Sequence, residues 1–328
     1  MLTLPPFEHH APRTVDEALA LLAAHPGGAA RLVAGGTDLI PNLKHGLDEP
    51  AHLVSLRSVE GLRYAREEDG TLRLGALTTI QALADDALVQ ARLPALAEAC
   101  AAIAGPQLRR MGTLGGNLCL DTRCVYINQT HFWRSALGFC LKKDGTACHV
   151  VVGGKRCVAA ASNDTAPVLM AHDASVVLAS PRGRREVRLA DLYVADGVKN
   201  TVVAADEILV EARVPAPGAG VRAAYEKLRQ REAIDFPALG VAVALELDGA
   251  ANVLWARLAV TGLAARPQLV KLADLAGQTP EAVSAEAARR AYKQCRPLTN
   301  INLDPEWRRE LIPVFVRRAF RRALERKG

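Results

Sequence analysis

The sequence predicts an α+β protein built from more than one compact unit, and three observations support this prediction. The chain has 328 residues, which exceeds the length of an average domain. Helical and strand patterns are mixed over its first two thirds, whereas the last third shows three strand patterns followed by helices. A stretch rich in Pro and Gly at 215–218 is typical of a linker between these two parts.

The elements of the first part follow from local signals. Thr14 and Glu17 form a capping box that begins a helix reaching Leu22. A short buried strand then runs into a Gly-Gly turn, and Gly105-Pro106 ends a later helix. The remaining ranges are strands at 71–76, 175–179, 186–189 and 208–214, and helices at 79–90 and 94–104.

The second part is expected to hold a three-stranded antiparallel sheet over 221–228, 238–247 and 253–261. An Asp248-Gly249 turn joins the last two strands. Helices follow, and the final one is predicted from apolar residues at helical spacing between arginines. Its apolar face contains Ile312, Phe315, Val316, Ala319, Phe320 and Ala323.

The charge and hydropathy of the chain exclude several classes of protein. A net charge of +6 suggests nucleic acid binding, but no clustered aromatic residues accompany the arginines, so we predict none. The longest apolar run, 239–247, is far shorter than the roughly 20 residues that span a bilayer. The N-terminus lacks the pattern of a secretory signal, and we therefore expect a cytoplasmic protein without a membrane segment.

The cysteines are distributed unevenly. Seven occur, and five of them fall between positions 119 and 157. Cys100 and Cys295 lie in helical patterns and are interpreted as small buried hydrophobic residues. The other positions are Cys119, Cys124, Cys140, Cys148 and Cys157. The last four form a candidate ligand set without C-x-x-C pairs, and Cys119 is a fifth candidate. Their spacing alone leaves an iron-sulfur cluster, zinc and no metal open.

Two glycine-rich turns are candidates for holding a phosphate group. Gly35-Gly36 follows a strand pattern, and Gly115-Gly116 lies directly before the cysteine-rich region. Such turns expose backbone N–H groups and admit a close approach. Neither turn fits the Rossmann or P-loop pattern, and each one taken alone is also consistent with an ordinary turn.

Several motifs taken together resemble a known family. The segments are Ala34-Gly35-Gly36-Thr37-Asp38-Leu39, Thr113-Leu114-Gly115-Gly116-Asn117, Asn163-Asp164-Thr165-Ala166-Pro167 and Tyr225-Glu226-Lys227-Leu228-Arg229-Gln230-Arg231. In this order they resemble the FAD subunits of the xanthine oxidase and carbon monoxide dehydrogenase family over nearly the whole chain. Within that family, the cysteine-rich insertion resembles the β subunits of 4-hydroxybenzoyl-CoA reductases.

The resemblance implies a fold and a domain organisation. It implies a vanillyl-alcohol-oxidase-like (PCMH-type) FAD-binding domain over 1–217, made of two α+β subdomains at 1–55 and 56–217. An inserted 4Fe-4S loop covers about 119–160. A C-terminal domain of the carbon monoxide dehydrogenase flavoprotein type, with a three-stranded antiparallel sheet and helices, would cover 218–328.

The resemblance also implies the site residues. Those for FAD are Val33, Ala34, Gly35, Gly36, Thr37, Asp38, Leu39, Thr113, Gly115, Gly116, Asn117, Asp164 and Lys227. The first turn would hold the pyrophosphate through backbone amides, the second would close the other side, and Asp164 would bond the ribityl chain or a nearby polar group. The implied 4Fe-4S ligands are Cys124, Cys140, Cys148 and Cys157, with Cys119 assigned to the flavin motif.

Lys227 is the position with an implied catalytic role. In the family, a lysine of this motif approaches the flavin ring, where its charge would stabilise the anionic reduced flavin and raise its potential. Arg231 and Asp235 continue the spacing and are expected to pair and to hold Lys227 in place. The alternative is a solvated lysine at a strand edge.

The implied function is electron transfer within a molybdenum enzyme. The resemblance implies a large molybdenum-cofactor subunit and a small 2Fe-2S subunit as partners, assembled as a dimer of heterotrimers, with ferredoxin as electron donor. The reaction would be reductive removal of the phenolic hydroxyl of 4-hydroxybenzoyl-CoA. Two alternatives stay open: the FAD subunit of a molybdenum aldehyde or N-heterocycle dehydrogenase, and a zinc-stapled structural or assembly module whose turns bind nothing.

Overall fold

Three sheets organise the chain, which a computed structural model describes over residues 2–326. Residues 1, 327 and 328, at the outer ends of the two domain ranges expected from the sequence, lie outside the described residues. The first sheet is parallel and the other two are antiparallel. Helices pack on these sheets, so the predicted mixture of α and β elements is confirmed.

The first sheet has three strands in the order β1-β3-β2. Its elements are β1 (Glu8–His10), α1 (Val15–Ala24), β2 (Ala30–Val33), α2 (Leu39–Lys44) and β3 (His52–Ser55). The predicted N-cap is present, because the Glu17 amide donates to Thr14 Oγ1 at 3.1 Å, whereas the Glu17 carboxylate accepts from the Arg13 amide and not from that of Thr14. The Gly35-Gly36 turn follows β2 at the carboxyl end of this sheet, where open parallel sheets commonly bind ligands.

The second sheet has five strands in the order β4-β5-β8-β6-β7. The elements of this part are β4 (Ala65–Glu68), β5 (Thr71–Gly75), α3 (Ile80–Asp85), α4 (Ala87–Arg92), α5 (Pro94–Ala101), α6 (Pro106–Arg109), α7 (Leu114–Leu118), α8 (His131–Ala136), α9 (Thr165–Ala171), β6 (Ser175–Ser180), β7 (Gly183–Arg188), α10 (Leu189–Leu192) and β8 (Ile208–Pro215). The helix predicted over 79–90 is divided, since Asp86 ends α3 and its carboxylate caps the Val89 amide of α4 at 3.0 Å.

The third sheet has four strands, which corrects the prediction of three. Its order is β12-β11-β10-β9. The elements are β9 (Val221–Leu228), β10 (Leu239–Leu247), β11 (Val253–Thr261), β12 (Gln268–Val270), α11 (Pro280–Gln294) and α12 (Pro305–Glu325). The fourth strand has only three residues, which is too short to show alternation in the sequence.

Both faces of the third sheet are covered, which explains the long apolar run of β10. Val241, Val243 and Leu245 pack against α11 and α12, whereas Ala242 and Ala244 face the core that the helices of the second part share. Alternate residues of a strand point to opposite faces, so a strand buried on both sides is apolar throughout. The predicted apolar face of α12 is buried, as expected.

Arg308 of α12 is the one arginine of that helix that is fully buried in the described part of the chain. Its guanidinium donates to the carbonyls of Ala238, Gly262 and Leu298 at 2.7–3.1 Å. Burial lowers the pKa of Arg308 to about 10. None of the helices within residues 2–326 combines the length and the apolar character needed to cross a membrane.

Candidate functional site

The two glycine turns meet in the structure, although they are far apart in the sequence. A Cβ atom on Gly35 would lie 1.9 Å from the carbonyl oxygen of Met111 and 2.9 Å from the Gly112 nitrogen. No side chain fits this space, so Gly35 is required for the contact. Gly36 has φ of +71°, a conformation that favours glycine.

The first turn presents unused hydrogen-bond donors. Within residues 2–326, the amides of Gly35, Gly36, Thr37 and Asp38 donate to no other protein group. Successive free amides form a concave site for an anion. The turn also leads into α2, and this geometry fits a pyrophosphate held by backbone atoms.

The second turn has a different role from the first. Its Gly115 amide donates to the Ala76 carbonyl at 2.8 Å, and its Gly116 amide donates to Thr113 Oγ1 at 3.2 Å. These two amides are therefore already paired within the protein. Asn117 Oδ1 accepts from Thr165 Oγ1 at 2.6 Å and fixes the turn to α9. The second turn supports the first, and Gly116 remains exposed beside it.

A buried ion pair joins the second part of the chain to the third sheet. Lys227 of β9 lies 2.9 Å from Asp164 Oδ1, and both side chains are 4% exposed. Tyr225 donates to the same carboxylate at 2.7 Å, and Lys227 also donates to the Ala102 carbonyl at 3.0 Å. Burial raises the pKa of Asp164 and lowers the pKa of Lys227, and the mutual attraction of the pair opposes both shifts.

The contacts of Lys227 correct one expectation and bear on another. Arg231 pairs with Asp235, as expected, but this pair lies in an exposed loop where Arg231 is 71% exposed. Lys227 is held by Asp164 and the Ala102 carbonyl instead. Since Lys227 is buried, the interpretation of it as a solvated lysine is wrong.

Asp38 links the first turn to the cysteine-rich segment. Its carboxylate accepts from Arg123 at 2.6 Å and from Asn42 at 3.2 Å. Burial raises the pKa of Asp38, and the neighbouring Arg123 guanidinium opposes this shift. This ion pair brings the segment that starts at Arg123 directly against the first glycine turn, which is the candidate phosphate site.

The four candidate cysteine ligands line one small cavity. They are Cys124, Cys140, Cys148 and Cys157. Backbone amides point at the sulfurs: Val151 donates to the Cys148 Sγ and Ala159 donates to the Cys157 Sγ, each at 3.5 Å. Amide donors around sulfur stabilise thiolate and metal-bound sulfur. A Cβ on Gly197 would lie 2.6 Å from Cys157 Sγ, so the wall of the cavity is tight there.

The segment that carries these cysteines is closed at its base. Arg123 and Ala160 exchange two backbone hydrogen bonds of 2.8 Å. Its α8 helix is anchored by Arg134, which is 1% exposed and donates to the carbonyls of His45 and Gly46 at 2.9 Å. Asn300 donates to the Val158 carbonyl at 2.6 Å from the C-terminal part.

The remaining cysteines lie elsewhere. Cys100 and Cys295 are fully buried in hydrophobic cores, as expected for bystanders. Cys119 ends α7 and is exposed. It does not line the cavity of the other four.

Sequence reasoning missed the polar residues that join these parts. Arg123, Arg134 and Lys142 make buried contacts across the fold. Lys142 donates to Asp121, to Thr122 and to the Gly197 carbonyl at 2.6–3.1 Å. Single basic residues in a loop have no local pattern that separates them from solvated ones. Only the density of basic residues between the cysteines hinted at them.

Comparisons with known proteins agree with one another. The family model for the FAD-binding domain in molybdopterin dehydrogenase matches residues 5–217, and that for the CO dehydrogenase flavoprotein C-terminal domain matches residues 223–323. The chain is 34% identical to the carbon monoxide dehydrogenase medium chain of Hydrogenophaga pseudoflava, over 98% of both chains. It is 30% identical to the xanthine dehydrogenase FAD-binding subunit of Escherichia coli O157:H7, over 98% of this chain and 97% of that one. A solved carbon monoxide dehydrogenase from Hydrogenophaga pseudoflava aligns with a TM-score of 0.83 at 31% identity, covering 99% of this chain and 100% of that one.

Gly35→Ala tests the contact between the turns. The new methyl group must displace the Met111 backbone, so we expect a loss of about 3 kcal/mol in the free energy of unfolding and of most bound FAD. Gly249→Ala is the control, because nothing lies within 4 Å of its Cβ position. Chemical denaturation and flavin absorbance measure both effects. A Gly35→Ala protein as stable and as rich in FAD as the control would contradict the contact.

Lys227→Met tests the buried pair. It leaves the Asp164 carboxylate buried without its cation, so we expect a loss of about 3–5 kcal/mol in stability. The double variant Lys227→Met, Asp164→Asn should recover most of this loss. We also expect Lys227→Met to lower the flavin midpoint potential. Equal losses in the single and double variants would refute the pairing, and an unchanged potential would refute the flavin role.

Proposed function

This chain belongs to the FAD-binding (medium) subunits of the xanthine oxidase and carbon monoxide dehydrogenase family of molybdenum enzymes, and on that premise we propose that it carries FAD and a 4Fe-4S cluster. Its task is to pass electrons between these groups and partner subunits. The observation that carries the proposal is the convergence of four cysteines on one cavity, next to the segment that forms the FAD turn.

The first glycine turn is the proposed site of the FAD pyrophosphate. Its free amides can donate hydrogen bonds to the charged phosphate groups. Because Gly35 has no side chain, the turn packs directly against the Met111 backbone. FAD exchanges electrons in pairs or singly, and so suits a junction with iron-sulfur centres. Lys227 is proposed to face the flavin from the third sheet. Because Asp164 balances much of its charge, its influence on the flavin depends on the carboxylate as well.

The four thiols suit a cluster better than a single zinc ion. Thiolates bound to zinc at about 2.3 Å lie roughly 3.8 Å apart. Within residues 2–326, one group of three potential ligand atoms lies within 4.8 Å of one another. It consists of histidine nitrogens in another part of the chain and contains no cysteine sulfur. In the described part of the chain, no three of these sulfurs therefore lie as close together as they would around a tetrahedral zinc ion. The proposed ligands are Cys124, Cys140, Cys148 and Cys157.

Lys142 places a positive charge beside the proposed cluster. The Lys142 side chain is 9% exposed. Burial raises the pKa of the Cys157 thiol, and the charge of Lys142 opposes this shift. Net charge and hydrogen bonds to sulfur set the potentials of iron-sulfur centres. A cation at this point stabilises the reduced, more negative state, although Asp121 offsets part of its charge.

The resemblance of the cysteine-rich segment supports 4-hydroxybenzoyl-CoA reductase as the enzyme to which this subunit belongs. In that assignment a large molybdenum-cofactor subunit binds the substrate, a small 2Fe-2S subunit carries electrons, and the complex is a dimer of heterotrimers. Reduced ferredoxin would supply electrons through the cluster. The reaction would yield benzoyl-CoA.

The relatives favour a second candidate, the FAD subunit of a molybdenum dehydrogenase for aldehydes or N-heterocycles. Xanthine is an N-heterocycle, and the FAD-binding subunit of a xanthine dehydrogenase matches this chain over nearly its full length. Electrons would then leave the molybdenum subunit through this chain. The third interpretation, a zinc-stapled module with empty turns, loses support because the chain belongs to an FAD-binding family.

Cys148→Ser tests the cluster, and Cys119→Ser is the matched control from the same region. Prepared without oxygen, the wild type and Cys119→Ser should each hold about four iron atoms per chain together with FAD. Cys148→Ser should lose the iron and keep the flavin. Iron and sulfide analysis with visible spectra measures this. Iron retained by Cys148→Ser, or absent from the wild type, would contradict the assignment.

The native complex distinguishes the two enzymes. It is purified with its partner subunits and given 4-hydroxybenzoyl-CoA with a low-potential reductant, and in parallel xanthine, nicotinate or an aldehyde with an oxidising dye. Formation of benzoyl-CoA without dye reduction supports the reductase. Dye reduction by one of the oxidisable substrates without benzoyl-CoA would establish the dehydrogenase.

A further inference from the structure

Three histidines converge at the edge of the first sheet, well outside the flavin and cysteine sites. They are His10, His25 and His52, and a ring nitrogen of each lies within 4.8 Å of the other two. His10 Nε2 lies 3.1 Å from His52 Nδ1. The His25 and His52 rings stack with centroids 3.5 Å apart, and those of His10 and His25 are 5.7 Å apart.

The backbone places these side chains together. Parallel pairing sets Glu8 opposite His52, and His10 follows Glu8 by two residues on the same face of β1. His25 caps the carboxyl end of α1, where its amide donates to the Leu21 carbonyl at 3.2 Å. Three separate elements, β1, α1 and β3, therefore each supply one imidazole.

The carboxylate of Glu8 lies beside two of the three imidazoles. The oxygens of Glu8 lie 3.7 Å from His10 Nε2 and 3.5 Å from His52 Nδ1. The side chains of His10 and His52 are 16% and 19% exposed, so the nitrogens are sheltered but reachable from solvent. A hydrogen bond between two neutral imidazoles explains the His10–His52 contact alone. It does not explain why a nitrogen of a third imidazole, that of His25, lies within 4.8 Å of both.

We propose that His10, His25 and His52, with Glu8 as a fourth ligand, form a binding site for a divalent first-row transition ion of the Zn²⁺ type. Three imidazoles and one carboxylate are a ligand set that suits this ion. The carboxyl end of α1 adds partial negative charge where the cation binds. Bound metal cross-links β1, α1 and β3, and so stabilises the subdomain that carries the first glycine turn.

The test uses the purified full chain with its FAD, stripped by a chelator and then exposed to zinc sulfate. His25→Ala and His52→Ala remove ligands. His9→Ala is the matched control, because His9 is the neighbour in β1 that points to the opposite face. The cysteine-rich segment is unchanged in all proteins, so zinc taken by thiols is the same in each. Bound zinc is counted after gel filtration, and FAD content confirms folding.

We expect the wild type and His9→Ala to hold about one zinc ion more than the two ligand variants. Zinc should also raise the melting temperatures of the wild type and His9→Ala by more than it raises those of His25→Ala and His52→Ala. X-ray absorption at the zinc edge of the wild type should show nitrogen and oxygen neighbours in addition to any sulfur. Equal zinc in all four proteins, or a wild-type spectrum with sulfur neighbours alone, would overturn the proposal.

Discussion

The close approach at Gly35 is the constraint on which the candidate flavin site depends. The turn after β2 belongs to the parallel sheet, and Met111 lies between α6 and α7. These two regions touch backbone to backbone because no side chain stands between them. The amides of the first turn stay without a protein acceptor within residues 2–326, while Gly115 and Gly116 of the second turn use theirs in hydrogen bonds within the protein.

Two ion pairs, one buried and one partly buried, connect parts of the molecule that have no continuous strand or helix in common. Asp164 and Lys227 join the second part to the third sheet, and Asp38 and Arg123 join the first turn to the cysteine-rich segment. Removing one partner of such a pair leaves a charge in a poorly solvated place, so each pair acts as a position-specific link. The charges of these two ion pairs also contribute to the electrostatic potential around the proposed electron-transfer groups.

Most of the fold could be predicted from local signals, and its shortest pieces could not. The N-cap at Thr14 has a local sequence signal, and burial imposes a period on the apolar face of α12 and on the three long strands of the third sheet. β12 has three residues and leaves no periodic trace. The division of α3 from α4 depended on one capping carboxylate inside an apolar helical pattern.

The candidate site shows the same limit. Glycines and cysteines were found because these residue types are rare and carry distinctive chemistry. Lys142, Arg123 and Tyr225 were not found, since their importance comes from partners remote in sequence. The expected role of Arg231 and Asp235 was wrong in one respect for this reason. Their spacing predicted that they pair, but spacing could not show that Lys227 has closer partners.

The closed base of the cysteine-rich segment has a consequence for how such a protein arises. Because the backbones of Arg123 and Ala160 are hydrogen-bonded to each other, the two ends of the segment lie side by side. Replacing everything between them by a tight reversal of the chain would leave the flanking backbone where it is. A segment whose ends meet in this way can be gained or lost in a single genetic event, without any redesign of the flavoprotein that hosts it.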